Sequence, residues 1–184
     1  MEHNGENVMI SRIVAGIILI VGIPLFVLIA TLVWLQDGKN PFFTQIRLGK
    51  DQKIFRIYKF RTMYVGSDKD KVVCRSNDPR ITKIGKWLRR SHLDEIPQLV
   101  NIILGDMRFV GPRPLRVLNS GSNNFALRHS VLPGLTGLDQ VYGRKYVRHR
   151  VRFDQITIRN RNSVPFRLWI IARTMIHMIK LNGV

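Results

Sequence analysis

Acidic residues are scarce in this chain of 184 residues, which has 12 Asp and Glu against 30 Lys and Arg. Its net charge of +18 calls for a polyanionic partner, either nucleic acid, an anionic membrane face or a phosphorylated substrate. Cysteine is almost absent, because Cys74 is the only one, and this excludes an internal disulfide. The five histidines show no zinc-ligand spacing, so the sequence indicates no zinc site.

Charged residues are missing altogether from one long stretch near the N-terminus. Ile13 to Leu35 has none over 23 positions, which is long enough to enter or cross a hydrocarbon core of ~30 Å. Pro24 lies in the middle of this stretch, where a proline breaks or bends a helix. We therefore predict that residues 1–37 form a re-entrant membrane helix that turns back at Pro24. A straight spanning helix and a cleaved signal peptide are the alternatives.

The remainder, residues 38–184, reads as one mixed α+β region that is mostly helical. Its strongly basic character predicts that this region stays on the cytoplasmic face of a membrane, in contact with membrane lipid. The pattern predicts a short β-hairpin over 41–63 with its turn at 49–52. It then predicts a helix carrying Ile81, Ile84 and Leu88, and a second helix over 96–103 that ends at Gly105. Gly/Pro-rich loops are predicted at 110–114 and 132–145, and an amphipathic interfacial helix over 166–181.

Two of the few acids stand side by side, as Asp94 and Glu95, in a stretch where Asp106 is the only other one between Pro79 and Leu138. Pro97 fits only the first turn of a helix, so we expect that helix to begin near residues 94–96 with Asp94 as its N-cap. A plain cap followed by a first-turn Glu is a sufficient structural explanation of the pair.

The setting of the pair supports a second, chemical explanation. Arg89, Arg90 and Arg113 add positive charge, which should hold Asp94 ionised and attract a phosphate. Two carboxylates repel a phosphate unless a divalent cation lies between them, and Mg²⁺ takes one or two carboxylates together with substrate phosphate oxygens. We therefore expect Asp94 to bind Mg²⁺, which would in turn bind a diphosphate held by the arginines.

Four segments in order carry a family resemblance: "KFRTM" (59–63), "DPRITKIGKWLRRSHLDEIPQLVNIILGDM" (78–107), "VGPRP" (110–114) and "PGLTGLDQVYGR" (133–144). Together with the proline-broken N-terminal helix, they resemble the bacterial sugar transferase family over residues 8–180. These are monotopic phosphoglycosyl transferases, which start glycan assembly on a polyprenol phosphate. The resemblance implies a transferase that moves a sugar-1-phosphate from a UDP-sugar to undecaprenyl phosphate and releases UMP.

Residue roles follow from this resemblance. Asp94 matches the nucleophile, which becomes an aspartyl phosphosugar, and Glu95 would order Mg²⁺ or handle the acceptor's proton. The other matched positions would bind the substrates' phosphates or add positive charge near them: Lys59, Arg61, Arg113 and Arg144. The chain departs from the family's usual residues at Ile23, His92, Arg108, Leu138, Asp139 and Tyr142.

Several readings stay open from the sequence. Lys59 and Arg61 can alternate outward on a strand, and Arg89 and Arg90 can contact lipid headgroups. A membrane-tethered nucleic-acid binder would suit the charge, but no nucleic-acid-binding pattern accompanies it, so we expect no nucleic acid. A non-catalytic membrane scaffold is the other alternative. The sequence leaves open a homodimer, the identity of the sugar and the glycan pathway.

Overall fold

Helices dominate the computed structural model, which describes residues 3–67, 78–116, 123–142 and 150–179. Within these ranges a mixed, mostly helical α/β fold is confirmed. Its elements in chain order are α1 (His3–Val21), α2 (Ile23–Leu35), β1 (Phe42–Leu48), β2 (Ile54–Phe60), α3 (Lys83–Ser91), α4 (Gln98–Leu104), β3 (Arg108–Val110), β4 (Leu115–Arg116), β5 (Gly134–Thr136), α5 (Leu138–Tyr142), α6 (Arg150–Arg159) and α7 (Val164–Ile179).

The N-terminal apolar stretch forms two helices with a bend of 66° between them. The break falls at Gly22, and Pro24 lies in the first turn of α2, where its missing N–H costs nothing. The predicted break is therefore confirmed, two residues before the proline. No single helix among the described residues has the length and apolar character to cross a membrane, whereas α1 and α2 together do, either as a broken span or as a re-entrant loop.

The predicted hairpin is also confirmed. β1 and β2 pair antiparallel from Phe42 opposite Phe60 to Leu48 opposite Ile54, and a 3₁₀ turn over Lys50–Gln52 joins them. β4 adds to the free edge of β1, which gives the strand order β2-β1-β4. The segments predicted as loops contain more structure than expected, because β3 and β5 form a parallel pair and α5 follows directly.

Three apolar clusters hold these elements together, and two of them include residues of the N-terminal helices. The first joins Ala15 of α1 to β2 and α4, and the second joins Ile29 and Val33 of α2 to Phe60 and Leu88. The third joins Val110, Leu138 and Ile170. The N-terminal pair is therefore packed onto the part of the chain that carries the candidate site.

The helix after the carboxylate pair differs from its prediction. α4 begins at Gln98 with Pro97 as its N-cap, so Asp94 is not the cap of this helix. Its end at Gly105, which has φ 89°, is confirmed. Its buried side includes Asn101, whose amide accepts from the Tyr58 N–H (3.1 Å) and donates to the Arg56 carbonyl (2.8 Å). This amide fixes α4 against β2.

Candidate active site

The two adjacent carboxylates lie in a short 3₁₀ turn, Leu93–Glu95, between α3 and α4. His92 ends α3 in the left-handed conformation, with φ 58°, and its carbonyl accepts the Glu95 N–H at 3.1 Å. This reversal of direction turns the pair back toward the end of β2. Asp94 is buried, and Glu95 is partly buried beside it.

Lys59, the next-to-last residue of β2, lies against this pair. Its Nζ donates a hydrogen bond to Glu95 Oε1 and lies 4.0 Å from Asp94 Oδ2. The three side chains are only 12–17% exposed, so water screens their charges weakly. Lys59 is therefore an internal counter-ion of the pair and does not point away from it.

Arg113 approaches the pair from the other side, on the loop between β3 and β4. Its Nη2 lies 3.9 Å from Glu95 Oε1, and its side chain is 45% exposed. The loop is held close to β5, because a Cβ on Gly134 would lie 2.0 Å from the backbone nitrogen of Gly111. Position 134 therefore requires glycine, because a side chain there would push away the loop that carries Arg113.

Burial and the surrounding cations give the two carboxyl groups different pKa values. Burial raises the pKa of Asp94 to about 6, against the opposing attraction of Lys59, Arg89 and Arg113. Burial acts in the same direction on Glu95, but Lys59 and Arg113 outweigh it and lower the pKa of Glu95 to about 2. The predicted effect of the arginines is present, since Arg89 and Arg113 lower the pKa of Asp94, but burial opposes them more strongly. Asp94 becomes a carboxylate only near neutral pH, and Glu95 is ionised throughout.

A cleft opens beside Lys59 and Glu95, and three of its lining residues were missed by the sequence analysis. Arg47, Gln98 and Gln140 each place a buried polar atom there that has no hydrogen-bond partner: Nε of Arg47, Nε2 of Gln98 and Oε1 of Gln140. Burial, followed by the charge of Arg113, lowers the pKa of Arg47 to about 10. Unpaired buried donors and acceptors are costly, so this cleft has the chemistry of a polar, anionic ligand's site.

The other predicted site residues are distributed differently. Arg89 lies close enough for its charge to lower the pKa of Asp94, and its Nε donates to Thr62 Oγ1 at 2.8 Å. Arg61 instead forms a two-pronged ion pair with Asp37 at 2.5 and 2.6 Å and lowers the pKa of Asp37 to about 2. Arg90 is exposed on α3. Arg144 lies outside the described residues.

Arg61 therefore holds the fold together and does not line the site. Besides Asp37, its guanidinium donates to the carbonyl of Asn40 at 2.8 Å, so it closes the linker after α2 onto the end of β2. The structure does not bring this guanidinium to the carboxylate pair with Lys59.

The side chains present fit a cation that is shared with a substrate. In the described part of the chain no group of three or more His, Cys, Asp or Glu residues converges. The Asp94 carboxylate accepts no hydrogen bond from the described residues and faces Lys59 only at 4.0 Å. Mg²⁺ is commonly held by one or two carboxylates, with phosphate oxygens and water completing its shell. Asp94 fits that role, whereas Glu95 is already neutralised by Lys59.

Comparison with known proteins places these features in context. A family model described as bacterial sugar transferase matches residues 6–181. The chain is 41% identical over 150 residues to a UDP-glucose:undecaprenyl-phosphate glucose-1-phosphate transferase of Klebsiella pneumoniae, which covers 76% of this chain. It is 37% identical over 190 residues to the Escherichia coli (strain K12) protein of the same description, which covers 94% of this chain.

These relatives are longer proteins. The chain spans 32% and 40% of the length of the Klebsiella and Escherichia proteins. The exopolysaccharide production protein ExoY of Sinorhizobium fredii is nearer in size, with 38% identity over 170 residues that cover 80% of this chain and 74% of ExoY. The similarity to the longer relatives is therefore confined to a part of each.

Proposed function

The chain belongs to the bacterial sugar transferase family, and we propose that it moves a sugar-1-phosphate from a UDP-sugar to polyprenol phosphate, with undecaprenyl phosphate as the acceptor. The names of the Klebsiella and Escherichia relatives support this choice of donor class and acceptor. The product, a polyprenyl diphospho-sugar, would be the starting unit of a glycan.

The proposed reaction has two displacements at the β-phosphorus of the donor. In the first, an Asp94 oxygen forms a bond to this phosphorus and the bond to the UMP oxygen breaks, which leaves an aspartyl phosphosugar and releases UMP. In the second, a phosphate oxygen of the polyprenol phosphate attacks the same phosphorus, and the bond to Asp94 breaks. Any proton on the acceptor phosphate goes to solvent.

The observation that carries this proposal is the difference in pKa between the two carboxyl groups, which their surroundings produce. Asp94 is buried, accepts no hydrogen bond from the described residues and has a pKa of about 6, so near neutral pH it presents a weakly solvated carboxylate. Glu95, whose pKa is about 2, is a poor proton acceptor. We therefore assign Glu95 to holding Lys59 in place and not to removing a proton.

The cations around the pair supply the electrostatic part of the proposed mechanism. Arg113, Lys59 and Arg47 line the cleft and would bind the oxygens of the donor's diphosphate. Mg²⁺, with Asp94 as its protein ligand, would supply neutralisation of the phosphate charge when bound. Removal of the metal with EDTA should stop UMP release, and added Mg²⁺ should restore it. Undiminished release in EDTA would remove the metal from the proposal.

The decisive experiment compares Asp94→Asn with the wild-type protein in UMP release from a panel of UDP-sugars with undecaprenyl phosphate. Loss of the nucleophile should lower turnover by several orders of magnitude. Asp106→Asn, which changes another acid of the same region, is the matched control and should keep its activity. Mass spectrometry should find a phosphosugar adduct on the wild-type protein and none on Asp94→Asn. Substantial turnover by Asp94→Asn would refute the nucleophile, and a folded wild-type protein that releases no UMP with any donor would favour a scaffold.

We also propose that α1 and α2 form a re-entrant membrane anchor, with the rest of the chain on the cytoplasmic face of the inner membrane. The support is the 66° bend and the exposed apolar side chains of both helices, among them Ile17, Ile20 and Leu28. A cysteine at Asn4 in a Cys74→Ser background tests this with an impermeant thiol reagent on intact cells. Protection until lysis is expected, whereas labelling from outside would show a crossing segment.

A further inference from the structure

A second group of arginines lies away from the carboxylate pair, where β3 packs on α7. Arg108 is 94% buried, with an exposure of 6%, and its Nη2 has no hydrogen-bond partner. Among the described residues no salt bridge reaches it. A buried charge is rarely left without a partner, since its desolvation costs several kcal/mol, roughly, unless an opposite charge offsets it.

Two more arginines face the same place. Arg108 and Val110 point to one side of β3, because side chains alternate along a strand, and Val110 packs on Ile170 of α7. Arg167 lies three residues before Ile170, on the same side of α7. Arg161 lies in the turn that leads into α7, and both of these arginines are partly exposed. Burial, followed by the charges of Arg167 and Arg161, lowers the pKa of Arg108.

The N-terminal end of α7 adds to this positive field. The helix is 16 residues long and has no acidic residue in its first turn to offset the positive end of its dipole, although Ser163 Oγ accepts a hydrogen bond from the Phe166 N–H at 3.4 Å. Next to this end, Val164, Leu168 and Trp169 are 53%, 61% and 43% exposed. The cationic cluster therefore has an apolar border, which suits an anion attached to hydrocarbon.

We propose that Arg108, Arg161 and Arg167 form a binding site for the phosphate group of a membrane lipid at the start of α7. The phosphate would enter between the partly exposed Arg161 and Arg167 and accept a hydrogen bond from the unpartnered Nη2 of Arg108. The lipid's acyl chains would lie along Leu168 and Trp169. This site stands independently of the proposed transfer reaction, because none of its residues lines the cleft beside Lys59 and Glu95.

The test measures thermal unfolding of the full chain in micelles of a neutral detergent. Phosphatidylglycerol is the probe, diacylglycerol with the same chains is the control without phosphate, and inorganic phosphate at the same concentration is the control without hydrocarbon. We expect phosphatidylglycerol alone to raise the unfolding temperature of the wild-type protein. Arg108→Gln and Arg167→Gln should each weaken the binding about tenfold or more. Arg152→Gln, on the exposed side of α6, should bind like wild type.

Two results would overturn the proposal. An equal shift with inorganic phosphate would show that the cluster binds any soluble anion, and an unchanged phosphatidylglycerol shift in Arg108→Gln and Arg167→Gln would show that the lipid binds elsewhere. In micelles without lipid, Arg108→Gln should unfold at the same or a higher temperature than wild type, because it removes a buried charge that no described residue neutralises. If Arg108→Gln does not fold, Arg167→Gln and Arg161→Gln carry the same comparison.

Discussion

Replacement of Asp94 by asparagine should make the folded protein more stable at neutral pH although it removes the proposed nucleophile. Burial raises the pKa of Asp94 from 3.8 to about 6, so ionised Asp94 is less favourable in the folded state than in the unfolded chain. A difference of roughly two pKa units corresponds to about 3 kcal/mol at most. Because Asp94 titrates together with Glu95, we expect about 1–2 kcal/mol.

The sign of the effect depends on pH in a defined way. At a pH well below 3.8, Asp94 is protonated in both the folded and the unfolded states, and wild type and Asp94→Asn should be equally stable. As the pH rises from the unfolded-state pKa of 3.8 to the folded-state pKa of about 6, the wild-type protein loses stability that the variant keeps. The advantage of Asp94→Asn should therefore appear between pH 4 and 6 and remain constant above that range.

The assay is chemical or thermal unfolding of both proteins in the same detergent between pH 4 and 8, with Asp106→Asn as the control for loss of one acidic residue. Asp106→Asn should show no such pH-dependent gain. If Asp94→Asn were less stable than wild type at pH 8, or if its advantage did not change with pH, then the buried carboxylate would not be held at a cost in the folded state. The inference of a weakly solvated nucleophile would fail with it.

Three further predictions concern Lys59 beside the carboxylate pair and the Asn101 contact between α4 and β2. Lys59→Met should lower the free energy of unfolding by about 3 kcal/mol, because it leaves Glu95 buried without its counter-ion. In denaturant unfolding, the double variant Lys59→Met/Glu95→Gln should recover at least half of this loss. An equal loss in the single and the double variant would contradict the ion pair. Removal of Lys59 should also move the acid limb of the kcat/KM profile to higher pH, since its charge lowers both carboxyl pKa values. Asn101→Leu should cost about 2–4 kcal/mol, because the Tyr58 N–H and a β2 carbonyl lose their partners, whereas the exposed Asn160→Leu should change unfolding by less than about 0.5 kcal/mol.

The hairpin and the helix ends were predictable because their signals are local. Polar turn formers between two β-branched runs predict β1 and β2, and Gly105 predicts the end of α4. The start of α4 was predicted wrongly, because His92 adopts a left-handed conformation that no local pattern requires of a histidine. That residue inserts a separate 3₁₀ turn, and the carboxylates lie in this turn and not at the helix cap.

The composition of the site was less predictable, since burial of a charge depends on the tertiary structure. Lys59 and Glu95 are 36 residues apart and meet only because the end of β2 lies beside the 3₁₀ turn. Arg61, two residues beyond Lys59, is bound to Asp37 instead. Arg47 stands next to Ile46 on β1, and the apolar residue is the exposed one of the two. A prediction that buries isoleucine and exposes arginine would have turned the wrong face of β1 toward the core.

The packing of the N-terminal helices has a consequence for how this protein can be prepared. A shortened version that starts after Leu35 would remove Ala15, Ile29 and Val33, which fill two of the three apolar clusters. The partners left behind, among them Phe60 and Ile102, would then face water. We therefore expect that trimming the apolar stretch to avoid detergent would yield a fragment that aggregates, and that the full chain in detergent or lipid nanodiscs is the better material for crystallisation and kinetics.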